Sequence, residues 1–192
     1  MPFRLYVDTC ILVAYYYKDP LDDHKMVVDC LKIIRDNPRR TTLDISDFTF
    51  TEFVKVLQNK EGISESDVFR CLSEMVRLKK IGKEYPFRLI DAEGRQRNYS
   101  FNDFFVGLQD ILLDARPGIA DAIHAQIMLN NNRKRILTFD TDDFNEISGI
   151  ETLHPNEIEG FVENIHFKKT KKGGRKGHLK AQWRKTTSDE VQ

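Results

Sequence analysis

The sequence predicts an α/β fold built on a parallel sheet, and two observations carry that prediction. Five short β-prone segments alternate with helical patterns between Phe3 and Pro155, and such alternation builds a parallel sheet with helices on both faces. Two of those segments end on an aspartate, Asp8 and Asp140, at the strand edge where sheets of this kind bind ligands.

Each element has a local reason. Phe3 to Val7 alternates and is rich in β-formers, so it reads as the first strand, ending at Asp8. Thr9 is placed to cap the apolar helix that runs to Tyr17, and Asp19-Pro20 breaks it. From Leu21 to Asp36, Met26, Val27, Cys30, Leu31 and Ile34 fall on one helical face. Asn37-Pro38 ends that helix, and Thr41 to Ile45 is the second strand. Ser46 or Asp47 caps the next helix, whose expected buried stripe is Phe50, Phe53, Val54 and Leu57. Glu52 lies off that stripe. After Gly62, Ser64 to Asp67 opens a helix with Val68, Cys71, Leu72, Met75 and Leu78 on its apolar side. Pro86 to Asp91 is the third strand, Ala92 to Asn98 a polar loop, and Phe101 to Asp114 an amphipathic helix. Pro117-Gly118 separates it from an unusually apolar helix, Ile119 to Leu129, stopped by three asparagines. Arg135 to Phe139 and Ile150 to Leu153 complete the strands.

Composition narrows the class. A chain of 192 residues with 40% apolar and 31% charged residues fits one globular domain with an appendage. No segment has the length or apolarity of a bilayer span, and the N-terminus lacks a secretory pattern, so a cytoplasmic protein without membrane contact is expected. Cys10, Cys30 and Cys71 have no metal-ligand spacing and read as free thiols in a reducing compartment. The zero net charge hides an asymmetry. Residues 1–165 hold 21 Lys+Arg against 28 Asp+Glu, a net −7, whereas residues 166–192 hold 9 against 2, a net +7. The domain is therefore expected over 1–158, followed by a basic, flexible tail over 159–192. Its lysines, its glycines and Trp183 suit nucleic-acid backbone and base contacts.

Function is best read from four acids. Asp8, Glu52, Asp121 and Asp140 each lie in or beside apolar sequence, where a lone carboxylate is costly to bury. Each also has a plain structural explanation. Asp8 can cap a helix, Glu52 can be a solvated surface acid, Asp121 can complement a helix dipole, and Asp140 can belong to a turn. Together, on an α/β frame, they outline a divalent-cation site. Thr9 and Thr138 are placed to hydrogen-bond such carboxylates, and His124, one turn from Asp121, reads as a packed, hydrogen-bonded histidine.

These residues resemble the PIN-domain ribonucleases, including the VapC-type toxins. The matching pieces are Val7-Asp8-Thr9, Thr51-Glu52-Phe53, Ala120 to Ala125, Ile136 to Asp140 with Asp143-Phe144, and the closing Ile150 to Pro155. The resemblance covers Phe3 to Pro155. It implies a three-layer α/β/α arrangement with a five-stranded parallel sheet and an acidic pocket binding Mg²⁺ or Mn²⁺. Asp8, Glu52, Asp121 and Asp140 match the family's metal-site acids, and Asp142 or Asp143 adds a water-mediated contact. The stretch from Asp140 to Phe144 is one residue longer than the commoner toxin pattern, and Ser64 to Asn98 is longer than in the smallest members.

The implied activity is metal-dependent hydrolysis of RNA phosphodiesters. Expected partners are an RNA substrate, an antitoxin protein over the acidic pocket, and a second copy of the chain in a homodimer. Oxygen ligands select hard cations over zinc. Like charges about 4 Å apart repel by about 4 kcal/mol at an effective dielectric near 20, so the metal-free cluster should hold a proton. A non-catalytic RNA-binding protein of the same fold is the alternative. A haloacid-dehalogenase-type phosphatase would need an acid two residues after Asp8, where this chain has Cys10.

Overall fold

The computed structural model describes residues 3–18, 20–37, 41–60, 63–80, 87–91 and 101–164. Strands β1 (Phe3–Val7), β2 (Thr41–Ser46), β3 (Phe87–Ile90), β4 (Arg135–Leu137) and β5 (Glu151–Leu153) form one parallel sheet in the order β3-β2-β1-β4-β5. The helices are α1 (Thr9–Tyr17), α2 (Leu21–Asp36), α3 (Asp47–Asn59), α4 (Glu65–Lys80), α5 (Phe101–Asp114), α6 (Ile119–Asn130) and the short α7 (Asp142–Asn145). A 3-10 turn (Pro155–Glu157) leads into a last helix, α8 (158–164).

Strand alternation divides the interior into two cores and so makes three layers. Leu5 and Val7 of β1, Leu43 and Ile45 of β2, Leu137 and Leu153 face α1–α4 and α8, where Ile11, Leu12, Val27, Ile34, Phe53 and Leu57 meet them. Tyr6, Ile90 and Ile136 face the other way, toward Ile111 of α5, Ala122, Ala125 and Met128 of α6, and Phe144 of α7. Asp44 is paired in register with Tyr6, so it points to this second face, fully buried. There Arg133 donates to its carboxylate, as a buried charge requires.

The order β3-β2-β1-β4-β5 contains a switch point. The chain builds outward from β1 through β2 to β3, then crosses back to β4 on the other side of β1. Neighbouring crossovers leave β1 and β4 in opposite directions, and the gap outside their carboxyl ends is the crevice where ligands bind in such sheets. Asp8 follows β1 directly, and its backbone N–H still donates to the Leu137 carbonyl of β4 at 3.1 Å.

Several expectations shift by local chemistry. Asp8, not Thr9, caps α1, its side chain accepting from the Thr9 N–H. Of the two candidates, Ser46 caps α3 in a reciprocal box with Thr49. The buried stripe of α3 is Thr49, Phe53 and Leu57. Phe50 sits one helical step away and is 41% exposed, because the Thr49 hydroxyl is drawn inward to Tyr6. Strand β4 stops at Leu137 rather than Phe139, because the Thr138 hydroxyl accepts from the Asp140 N–H at 3.0 Å and turns the chain. Asp140 therefore lies three residues past the strand. Ser64 and Asp67 make the expected reciprocal bonds at the start of α4. The loop expected at Ala92 to Asn98 and the basic run of residues 165–192 lie outside the described residues. Helix α8 packs on the sheet through Phe161 and Val162, the Phe161 ring meeting Phe3 edge-on at 5.7 Å. Among the described residues no helix is long and apolar enough to cross a membrane.

Candidate metal centre

Asp8 is the hub of the acidic edge. Only 7% exposed, it accepts from the Thr9 N–H at 2.6 Å on Oδ1 and from the Thr138 hydroxyl at 2.6 Å on Oδ2. The Cys10 thiol lies 3.3 Å from Oδ2. Strand β1 delivers this carboxylate, α1 caps on it, and the turn after β4 supplies its third partner. Such a residue is fixed in direction before any ligand arrives.

Glu52 reaches the same place from α3. Its Oε2 accepts from the Thr9 hydroxyl at 2.5 Å and from His124 Nε2 at 2.8 Å. Burial acts to raise its pKa, but these hydrogen bonds and the nearby Lys55 outweigh it and hold the carboxyl below its ordinary value. Glu52 is therefore held toward its charged form. Ligand atoms of Asp8, Glu52 and His124 lie within 4.8 Å of one another, as do those of Asp8, Cys10 and Asp140.

Asp121 stands in the first turn of α6 and is half-buried. Burial first, then the charges of Asp143, Asp8 and Glu52, push its pKa up to about 6, with His124 opposing them. Asp140 is also raised, by burial and then by Asp8 and Asp143. These carboxylates thus share one electrostatic field, and Asp143 belongs to it. Asp142 instead accepts from Asn145 on its own short helix at 3.4 Å. Gly118, which caps α6, leaves room for the Asp121 carboxylate. A methyl group there would stand 2.6 Å from Oδ2.

The donor set suits a hard divalent cation. Burial and then the charges of three carboxylates raise the proton affinity of Asp121, so positive charge is what the cluster lacks. Oxygen donors dominate, and the nearby Cys10 thiol is pushed well up by burial and by Asp8, which keeps it protonated and unfit as a thiolate ligand.

Sequence reasoning placed Thr9, Thr138 and a hydrogen-bonded His124 correctly. It missed the buried Tyr6, whose hydroxyl meets Ser46 Oγ at 2.7 Å, Thr49 Oγ1 at 2.8 Å and His124 Nδ1 at 2.8 Å. The one available signal was a phenol inside an otherwise aliphatic stretch of β1, at a position whose register faces the second core.

The PIN-domain family model matches residues 5–150. The chain is a PIN-domain protein. No curated protein sequence matches it. The PIN domain resembles the structure of VapBC2 from Rickettsia felis bound to a DNA fragment from their promoter, with a TM-score of 0.54 at 15% identity over 79% of this chain and 98% of that one. It also resembles FitAcB from Neisseria gonorrhoeae, with a TM-score of 0.53 at 14% identity over 79% and 97% of the two chains. DNA-bound VapBC from Salmonella typhimurium gives a TM-score of 0.52 at 16% identity over 81% and 99%. At these identities the likeness is one of fold. PIN domains are in general nucleases that use divalent metals, and the acidic edge of this one offers a cluster suited to such an ion.

Proposed function

We propose that this PIN domain is an endoribonuclease that hydrolyses RNA phosphodiester bonds with Mg²⁺ or Mn²⁺ held by Asp8, Glu52, Asp121 and Asp140, Asp143 adding charge at the rim. The observation that carries this reading is the carboxylate cluster at the switch point between β1 and β4, in which burial and neighbouring acids raise Asp121 to about 6. A bound divalent ion supplies charge neutralisation at a phosphodiester oxygen and a more acidic water. The chain's own residues prepare its place. Thr138 and the α1 backbone fix Asp8, while Thr9 and His124 keep Glu52 ionised and aimed. Burial and the neighbouring acids favour the protonated form of Asp121, so a cation bound there competes with protons.

The partners extend the proposal. A toxin role with an antitoxin protein is supported by an apolar groove of about 730 Å³ between α3 and α6, lined by Phe48, Val56, Ile119 and Ile123 and bordered by Glu52. An apolar segment laid there would cover the acidic edge. A homodimer is supported by Phe105, Val106 and Leu113 on α5, which are 49%, 54% and 74% exposed. The net +7 of residues 166–192 supports a basic segment beyond α8 that contacts nucleic acid from a cytoplasmic protein.

The test is cleavage of RNA in Mg²⁺ or Mn²⁺ by the full chain, with Asp8→Asn and Asp121→Asn as controls. Metal-dependent cleavage lost in both variants is the expected result. Equal cleavage by all three proteins would refute the assignment, and Mn²⁺ binding without cleavage would favour the non-catalytic RNA-binding reading.

A further inference from the structure

His124 is buried against the cluster, at 1% exposure, and its two nitrogens face opposite kinds of partner. Nε2 lies 2.8 Å from Glu52 Oε2, and a carboxylate oxygen accepts, so the Nε2–H donates. Nδ1 lies 2.8 Å from the Tyr6 hydroxyl. That hydroxyl also meets Ser46 Oγ at 2.7 Å and Thr49 Oγ1 at 2.8 Å, and those two hydroxyls lie 3.1 Å from each other. Ser46 Oγ already accepts from the Thr49 N–H, and Thr49 Oγ1 from the Ser46 N–H. Either hydroxyl can then donate to the Tyr6 oxygen, which leaves the Tyr6 proton placed to reach Nδ1. Every buried donor and acceptor in the set finds a partner in this arrangement, which holds the imidazole at both nitrogens.

The ring is also held by packing. Phe48 meets it edge-on at 4.9 Å between centroids and Tyr6 at 5.6 Å. Both bonds to Glu52, from His124 and from Thr9, fall on Oε2, so neither uses Oε1. We propose that His124 is a positioning residue: the Ser46–Thr49–Tyr6 hydroxyl triad fixes its orientation, and its Nε2–H holds Glu52 by one oxygen so that Oε1 is kept for a cation. The proposal rests on the metal-centre reading above. It adds that β1, β2 and the N-terminus of α3 set the aim of a ligand through α6.

The experiment compares full-length wild type with His124→Gln, His124→Asn, His124→Ala and Tyr6→Phe, with Asp8→Asn as the control for the metal centre itself. Mn²⁺ affinity is read from the free-ion electron paramagnetic resonance signal, foldedness from metal-free thermal melts, and kcat and KM from RNA cleavage. Gln can place an amide N–H where Nε2 stands, whereas Asn can reach only the Nδ1 position, toward Tyr6. Loss of such a supporting hydrogen bond weakens metal binding about 10–100-fold. His124→Asn and His124→Ala should show that loss with KM for RNA unchanged, His124→Gln should recover most of the affinity, and Tyr6→Phe should fall between. If the alanine variant fails to fold, the Gln–Asn pair carries the comparison, with Tyr6→Phe as its check. Wild-type Mn²⁺ affinity in folded His124→Asn or Tyr6→Phe would overturn the proposal, as would a Gln variant no better than Asn. Unweakened Mn²⁺ binding by Asp8→Asn would overturn the metal centre, whereas weakening in Asp8→Asn alone would overturn only the role of His124.

Discussion

Replacing Asp121 with asparagine should stabilise the metal-free protein while abolishing its response to metal. Burial and the neighbouring carboxylates raise the Asp121 pKa from 3.8 to about 6. Each tenfold change in proton affinity is about 1.36 kcal/mol, so the rise amounts to about 3 kcal/mol against the ionised form. The group is half-exposed, and screening by water reduces that to about 1 kcal/mol. Because the folded state holds the proton more tightly than the unfolded state, wild-type stability is full below pH 3.8 and is lost as pH rises through about 6. Asparagine carries no such penalty. In EDTA at pH 7.5 the variant should therefore melt about 2–4 °C above wild type, the shift that about 1 kcal/mol gives in a domain of this size. Near pH 3.5 the difference should close. In Mn²⁺ at a hundred times its dissociation constant, wild type should gain about 2.7 kcal/mol and the variant nothing. Differential scanning calorimetry across pH 3.5–8, with and without Mn²⁺, measures all of this. A variant less stable than wild type at pH 7.5 without metal, or a difference that does not change with pH, would refute the reasoning.

Three further outcomes are expected. Thr138→Val removes the hydroxyl that donates to Asp8 and accepts from the Asp140 N–H; losing a buried bond to a charged group should cost about 1.5–3 kcal/mol in urea unfolding, and Mn²⁺ affinity should fall with it. Gly118→Ala places a methyl 2.6 Å from Asp121 Oδ2; isothermal titration should show weaker Mn²⁺ binding while stability drops by no more than about 1 kcal/mol, the cost of a poorer cap. Carboxyl-carbon NMR of the metal-free protein should show Asp121 taking up its proton near pH 6 while Glu52 is still ionised, since the two are shifted in opposite directions. A Glu52 that titrates above Asp121 would contradict the hydrogen-bonding pattern.

The sheet was legible because its strands are short, β-rich and bounded by prolines, asparagines and caps, all local signals. The acids were legible as a set because two of them follow strands and a third opens an apolar helix. What the sequence concealed depends on register. Phe50 looked as buried as Phe53 until Thr49 was seen to turn inward toward Tyr6. The end of β4 was overrun because Thr138 and Phe139 are good strand formers, and only the bond from the Asp140 N–H to the Thr138 hydroxyl shows the turn. Likewise no periodicity reveals that Tyr6 and His124, 118 residues apart, share a hydrogen bond.

The two faces of the sheet carry different loads. The face toward α1–α4 is lined by Leu5, Val7, Leu43 and Ile45, side chains that stabilise by burial and are indifferent to direction. The opposite face presents Tyr6, Asp44 and Ser46 from the same two strands, each fully buried. Their partners are His124, beside the core residues Ala125, Ile127 and Met128 of α6, and Arg133, three residues past the end of that helix. A helix held only by apolar contacts can slide or rotate at little cost, whereas α6, tied by directional polar bonds at His124 and again just past its end at Arg133, cannot without leaving buried groups unpaired. Asp121 lies one turn before His124 on that helix, and Glu52 hydrogen-bonds His124. The polar face therefore fixes the rotation of α6 relative to α3, and with it the separation of two acids contributed by different helices. Uniform apolar packing on both faces would hold the fold together yet leave that separation loose, and a hard cation with demanding oxygen geometry would bind such a site poorly.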